Sequence, residues 1–119
     1  MVADVHHLDN GEYGVLLYRE KLPKFNNGGR MVFNCFDYPR DTDTPRIHPT
    51  QKSVPLLERL IELFTDNGDV VIDPCAGSGT TLLAAAQCGR KAYGFEIKKN
   101  FYADANKIIL SRMQPRMFV

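Results

Sequence analysis

Residues 70–81 decide the fold, and they read Val70-Val71-Ile72-Asp73-Pro74-Cys75-Ala76-Gly77-Ser78-Gly79-Thr80-Thr81. A short apolar strand ends in an acidic residue, and a turn of small residues then opens a helix. Gly77 and Gly79 let the backbone approach a ligand closely. The free N–H groups at the start of the helix suit a negative or polar ligand group. The stretch therefore predicts a ligand-binding turn, with a plain strand-to-helix connection as the alternative.

Strands and helices alternate on both sides of this turn. We expect a helix over 53–64, a buried strand over 70–72, a helix from the turn to Cys88, a strand over 91–97 and a last helix, capped by Asn100, through Arg112. This order predicts parallel strands with right-handed crossovers, which bind ligands at their carboxyl ends. The fold class is therefore α/β.

The part of the chain before the first helix predicts extended structure. Two largely apolar stretches, 12–19 and 31–36, read as strands, and the turn residues between them favour an antiparallel hairpin. Residues 38–49 contain three prolines and predict a loop. Residues 1–9, with His6 and His7, are interpreted as a frayed terminus rather than as a metal site.

Composition narrows the class of protein. With 119 residues the chain suits one domain, and 15 basic against 14 acidic residues give a net charge of +1. That balance does not by itself predict nucleic-acid binding. The basic residues near the end (Lys98, Lys99, Lys107, Arg112 and Arg116) are interpreted as a solvated face. Three cysteines without CxxC spacing indicate free thiols in a reducing cytoplasm, and no apolar run suits a membrane span.

Two phosphate-binding motifs fit the turn poorly. A dinucleotide fingerprint needs a third glycine three residues after Gly79, where the chain has Leu82, although an acid follows at Glu96. A P-loop needs a lysine after the last glycine, where the chain has Thr80. The turn is therefore not interpreted as a phosphate cradle.

The run from Asp73 to Thr81 instead resembles the cofactor motif of DNA amino-methyltransferases, with Cys75 where an apolar residue is usual. The resemblance implies a partial Rossmann-like fold that binds S-adenosylmethionine, with Glu96 accepting hydrogen bonds from the ribose hydroxyls. Cys75 is interpreted as a small hydrophobe of the pocket rather than a reactive thiol. The implied cofactor-binding residues are Thr50, Gln51, Lys52, Asp73, Pro74, Cys75, Ala76, Gly77, Ser78, Gly79, Thr80, Thr81, Glu96 and Ile97.

A second motif, His48-Pro49-Thr50-Gln51-Lys52, lies just before the first helix. It resembles the His-Pro-Thr-Gln-Lys-Pro motif that precedes the cofactor strand in one circular order of these enzymes, with Ser53 in place of the last proline. A hydroxyl, an amide and an ammonium can orient a carboxylate. The resemblance implies that they line the methionine end of the cofactor, while a merely solvated Lys52 is the alternative.

The motif that performs the chemistry in this family is missing. Its form is Asp/Asn/Ser-Pro-Pro-aromatic, its ring stacks on a flipped base, and no Pro-Pro pair occurs in the sequence. Asp37-Tyr38-Pro39 has the wrong order and is interpreted as a loop. In the matching circular order the motif lies earlier in the chain, so residues 1–119 resemble the single C-terminal domain of such an enzyme: a truncated, prophage-derived or split protein related to restriction and modification.

The leading hypothesis is that the chain is the cofactor-binding portion of a DNA methyltransferase and is inactive alone. The complete enzyme would methylate an exocyclic amino group, that of adenine in preference to that of cytosine. DNA is then the substrate of the complete enzyme, and a missing N-terminal half or partner chain supplies the acceptor motif. We expect no metal. The alternatives are a non-catalytic cofactor-binding remnant, a domain that self-associates through an exposed sheet edge, and, with less support, a small-molecule methyltransferase.

Overall fold

The computed structural model describes residues 2–6 and 11–113, with side chains from Glu12 onward. Its strands are β1 (Val2–His6), β2 (Gly11–Val15), β3 (Cys35–Asp37), β4 (Val70–Asp73) and β5 (Lys91–Gly94). Its α-helices are α1 (Val54–Phe64), α2 (Thr80–Gln87) and α3 (Lys99–Asp104), and α3 continues through a π-helical segment (Ala105–Ile109) and a 3-10 turn (Leu110–Arg112). None of the helices in the described ranges is long and apolar enough to cross a membrane.

The cofactor-type unit predicted from the sequence is confirmed. β4 and β5 pair in parallel, with Val70 opposite Lys91 and Asp73 opposite Gly94. α2 connects them, and Gly89, with φ of 77°, follows its end as the sequence predicts. This βαβ arrangement brings the carboxyl ends of both strands to one edge, where Asp73 and Glu96 lie.

Helix α1 begins and ends close to the predicted residues. The Ser53 hydroxyl caps it by accepting from the Leu56 N–H, and Pro55 fits in the first turn. The buried faces of α1 and α2 pack on each other and on α3's continuation, and the core consists of Val54, Ile61, Leu83, Ala84, Ala85 and Ile109. Ala84, Ala85 and Ile109 have no exposed surface. This core holds the glycine turn in place.

The predicted pairing of segments 12–19 and 31–36 is wrong, although the consecutive strands β1 and β2 do pair antiparallel. β2 and β3 do not pair with each other, because β1 lies between them, antiparallel to β2 and parallel to β3. The sequence predicts a frayed terminus over residues 1–9, but residues 2–6 form this central strand, while residues 7–10 lie outside the described part of the chain. Sequence adjacency favoured the hairpin, whereas the register Asp4 opposite Cys35 joins distant segments.

The boundaries of four elements also differ from prediction, and one of them is β5, which ends at Gly94 rather than at Ile97. β2 ends at Val15 rather than Arg19, and β3 covers only 35–37, so that Asp37 ends a strand instead of starting the loop. The last helix begins at Lys99 with Lys98 as its N-cap residue, so Asn100 does not cap it. Of its predicted inward residues, Ala105 and Ile109 are buried and Phe101 and Ile108 are half-buried.

Candidate cofactor site

The glycine turn is built by two backbone features. Gly77 has φ of 55° and Gly79 has φ of 81°, a region that L-residues with a Cβ rarely adopt. A Cβ at Gly79 would meet the Ala105 Cβ at 3.4 Å, an ordinary contact, so the positive φ rather than a lack of space favours glycine here. The Ala76 N–H donates to the Phe95 carbonyl over 2.9 Å, which joins the turn to the end of β5.

Glu96 closes the edge of the sheet from the other strand. Its Oε2 accepts from the Gly77 N–H at 2.9 Å, and its Oε1 accepts from the Lys98 N–H at 2.9 Å. Asp73, at the end of β4, accepts from the Cys75 N–H at 3.0 Å. The Asp73 and Glu96 carboxylates thus hold the starts of the loops that follow β4 and β5. Glu96 is half-buried and lies directly beside the glycine turn.

The loop of the second motif crosses over this turn. The Thr50 N–H donates to His48 Nδ1 at 3.2 Å, and the His48 ring packs on Phe101 with 4.3 Å between ring centroids. A Cβ built on Gly77 would lie 3.6 Å from the His48 ring. His48 therefore sits over the turn and ties the loop to α3.

Two adjoining cavities result. The first, the polar cavity, has a volume of about 340 Å³ and is lined by His48, Thr50, Gln51, Lys52, Asp73, Cys75, Ala76, Gly77, Ser78, Thr80, Thr81 and Glu96. The second, the apolar cavity, has a volume of about 270 Å³ and is lined by His48, Pro74, Cys75, Phe95, Glu96, Ile97, Lys98 and Phe101. His48, Cys75 and Glu96 belong to both, so the two form one elongated site.

The structure brings nearly all of the predicted site residues to these walls. Gly79 lines neither cavity, because it is buried against Ala105 and Leu110. Ser78 and Thr80 line the polar cavity but are each only 3% exposed. Cys75 and Ile97 are exposed at the rim rather than enclosed.

Two residues of the second motif have partners outside the cavity. The Gln51 side chain accepts from the Ile47 N–H at 3.0 Å and donates to the Pro45 carbonyl at 2.9 Å. It therefore holds its own loop together. The Lys52 ammonium forms an ion pair with Glu12 of β2.

Sequence reasoning missed His48, Phe95, Lys98 and Phe101 as lining residues. The position of His48 at the head of its motif is the sequence signal that could have identified it. The helical spacing of Phe101 predicts a core residue instead. Its contact with His48 joins two segments 53 residues apart in the chain, and no local pattern encodes such a contact.

The fold and the site define a class of protein: an α/β domain whose parallel strands end in a glycine turn and an acidic residue, as in domains that bind nucleoside-containing cofactors. The chain matches a family described as DNA methylase, of the N6/N4 type, over residues 14–107. It therefore belongs to the N6/N4 DNA methylase family, as its motifs indicate.

Relatives and solved structures agree with this assignment. The chain is 40% identical over 87 residues to the DNA adenine methyltransferase YhdJ of Escherichia coli K12, covering 71% of this chain and 30% of the relative. It is 43% identical over 90 residues to the type II methyltransferase M2.LlaDCHI of Lactococcus lactis subsp. cremoris, covering 74% and 34%. A crystal structure of an M1.HpyAVI–SAM complex superposes with a TM-score of 0.64 at 32% identity, covering 76% and 46%. The chain thus spans about a third of the length of these curated relatives.

Proposed function

We propose that this chain is the S-adenosylmethionine-binding portion of a cytoplasmic DNA methyltransferase that acts on an exocyclic amino group, adenine N6 in preference to cytosine N4. The observation that carries the proposal is the junction of Glu96 and Gly77, which places an acidic acceptor beside a glycine turn at the carboxyl ends of β4 and β5. The adenine assignment draws support from the relative named a DNA adenine methyltransferase.

The residues present fit this cofactor. Gly77 has a positive φ and lies under the His48 ring, where a side chain at position 77 would meet that ring. In our proposal the two oxygens of Glu96 accept from the ribose hydroxyls, because a carboxylate can accept several hydrogen bonds at once. The apolar side chains of Phe95, Ile97 and Pro74 then contact the base of the nucleoside.

The polar cavity suits the amino-acid end of the same molecule. Thr50 supplies a hydroxyl and Lys52 a positive charge at its wall, and both can stabilise a carboxylate. In the structure Lys52 pairs with Glu12, so it contributes here only by reorienting. The bound cofactor supplies an electrophilic methyl group, and the protein's contribution is to position it toward the target nitrogen.

We further propose that the chain has no methyltransferase activity alone and that another polypeptide segment supplies the acceptor motif. No Pro-Pro sequence occurs in the 119 residues. One face of the β4–β5 sheet is also uncovered: Val70, Ile72 and Tyr93 are 52%, 63% and 60% exposed. Parallel sheets are normally covered on both faces, so a further layer suits this side.

That same exposed face supports the alternative, a non-catalytic domain that binds the cofactor or associates with itself. Phe95 and Ile97 extend the apolar surface beyond β5, at 62% and 95% exposure. Exposed apolar patches of this kind mark association surfaces. Light scattering over a range of protein concentrations distinguishes a monomer from an assembly of copies.

Calorimetric titration with S-adenosylmethionine tests the cofactor site. We expect saturable binding that Glu96→Gln weakens at least about tenfold, because the neutral amide is a poorer acceptor than a carboxylate. Glu62→Gln, the same change on the exposed face of α1, is the matched control and should bind like the unaltered chain. Equal affinity in both variants, or no binding by a folded chain, contradicts the proposal.

An assay of methyl transfer to DNA tests the proposed dependence on a second segment. The chain alone should transfer no methyl group. Addition of a separate polypeptide that carries the Asp-Pro-Pro-Tyr motif of a related enzyme should restore transfer. Activity of the chain alone would contradict the proposal, and cofactor binding without restored activity would favour the non-catalytic alternative.

A further inference from the structure

A third cavity, which we call the arginine cleft, lies beside the polar cavity. It has a volume of about 260 Å³ and opens between β2, the end of β3 and the loop before α1. Its charged lining consists of Arg40, Arg46, Lys52, Glu12 and Asp41. Lys52 and Gln51 also line the polar cavity, so the two cavities share a wall.

Both carboxylates of the cleft already have partners. Glu12 forms an ion pair with Lys52. Asp41 accepts from the backbone N–H groups of Asp43, Thr44 and Val54 at 3.1, 3.0 and 3.0 Å. The charge of Glu12 is therefore balanced by Lys52, and the oxygens of Asp41 are occupied by backbone N–H donors.

The two arginines are not neutralised in this way. Within residues 12–113, Arg40 forms no hydrogen bond or ion pair, and Arg46 donates from one Nη to the Pro49 carbonyl, which carries no net charge. A guanidinium has five N–H donors, so most of those on both side chains stay available. The cleft thus presents two positive charges with forked donors, an arrangement that matches the oxygens of a phosphate.

We infer that the arginine cleft binds a phosphate group of the DNA backbone, an inference that rests on the proposed function. The cleft is open to solvent, and its shared wall places a bound phosphodiester next to the amino-acid end of the cofactor site. Phosphate contacts fix the position of a duplex without reading its sequence. The cleft would thus orient DNA through a local positive charge, although the net charge of the whole chain is only +1.

The test measures binding of two short DNA duplexes of unrelated sequence by fluorescence anisotropy at several salt concentrations. Arg40→Gln and Arg46→Gln should each weaken binding about three- to tenfold for both duplexes, and each should reduce the salt slope by about one. Arg30→Gln makes the same charge change on an exposed side chain outside the cleft and should alter affinity less than twofold. The unfolding midpoints of the variants establish whether the fold is kept. We expect the midpoint of Arg40→Gln to change least, because the Arg40 guanidinium has no hydrogen-bond or ion-pair partner within residues 12–113.

The inference is overturned if the cleft variants bind DNA like Arg30→Gln, or if the unaltered chain binds no DNA. A competition with inorganic phosphate tests whether the true ligand is a free anion. If inorganic phosphate displaces DNA at equal concentration, the DNA assignment is also overturned. Titration of the same samples with S-adenosylmethionine separates this inference from the proposed function. Retained cofactor binding without an arginine effect defeats only the cleft, whereas an arginine effect without cofactor binding defeats only the proposed function.

Discussion

Residues 54–113 contain every buried side chain in the described part of the molecule, whereas residues 12–53 contain none. The first region packs α1 and α2 on one face of a parallel sheet and so forms its own core. The second region leaves large apolar side chains in solvent, with Leu17 at 85%, Met31 at 78% and Phe33 at 72% exposure. The two regions therefore depend differently on the rest of the molecule.

Ring contacts and hydrogen bonds at its surface join the second region to the first. Phe25 packs edge-on against Phe64 with 5.3 Å between ring centroids, and the Asn26 N–H donates to the Leu63 carbonyl at 2.9 Å. Asp41 reaches the first turn of α1. Because residues 12–53 contain no buried side chain, we expect the core region to contribute most of the stability.

The largest expected effect is the loss of a core side chain. Leu83→Ala should lower the free energy of unfolding by about 2–5 kcal/mol, because Leu83 is 2% exposed and its removal leaves a cavity. Leu17→Ala, the same change in the exposed region, should alter it by less than about 0.5 kcal/mol. Urea unfolding of both variants measures the difference, and equal losses would contradict the comparison.

The same division explains how much the sequence alone could predict. In the core region the 3.6-residue spacing of α1, the glycines and the short apolar strands are local signals, and they predict β4, α2 and the start of β5 closely, but not the end of β5. In the other region β1 pairs with its neighbour β2, but it also pairs with β3 across about 30 residues, as Asp4 does with Cys35. Local alternation cannot choose among such partners.

The residues of the candidate site show the same difference between local signals and contacts that join distant segments. The resemblance to a family motif implies the residues of the glycine turn and Glu96 as site residues, and the structure has both at the ends of adjacent parallel strands. The packing of His48 on Phe101 and the pairing of Lys52 with Glu12 were not, since each joins distant segments. The motif placed the loop near the turn, but only the structure gives the orientation of its side chains.

A second test concerns the contact between α2 and β5. A Cβ at Gly94 would lie 2.6 Å from Leu82 Cδ1 and 3.0 Å from the Ala76 Cβ, so Gly94→Ala should cost about 1–3 kcal/mol. Shortening Leu82 removes part of the clash. A double-mutant cycle with Leu82→Ala, followed by urea unfolding, should therefore show a smaller combined loss than the sum, and strict additivity would contradict this packing.

A third test concerns the link between the two regions. Burial raises the pKa of the Asp41 carboxyl, but hydrogen bonds from Val54, Thr44 and Asp43 outweigh it and hold the pKa below its ordinary value of 3.8. A lowered folded-state pKa contributes stability above the unfolded-state value, and that contribution disappears as the pH falls through the folded-state pKa. Asp41→Asn should therefore cost about 1 kcal/mol at neutral pH.

The pH dependence provides the check on this third test. The difference in stability between the unaltered chain and Asp41→Asn should be constant from neutral pH to about pH 5 and should shrink below about pH 4. Thermal unfolding across this range measures it. A difference that grows as the pH falls would mean that the carboxylate does not stabilise the link.

The smallest expected effects compare the two faces of β4. Val71 faces the helices and is half-buried, whereas Ile72 faces solvent. Val71→Thr should cost about 1 kcal/mol, because the hydroxyl enters an apolar contact. Ile72→Thr should change stability by less than about 0.5 kcal/mol, and chemical denaturation ranks the two. A larger loss at Ile72 would mean that this face is covered in solution.

The most direct test of the central claim is the map of backbone amide signals that shift when S-adenosylmethionine is added to the chain in solution. We predict shifts concentrated in residues 48–52, 73–81 and 96–98, the three segments that meet around Gly77 and Glu96. No shifts at saturating cofactor, or shifts centred on residues 30–33, would contradict the assignment of the glycine turn as the cofactor site.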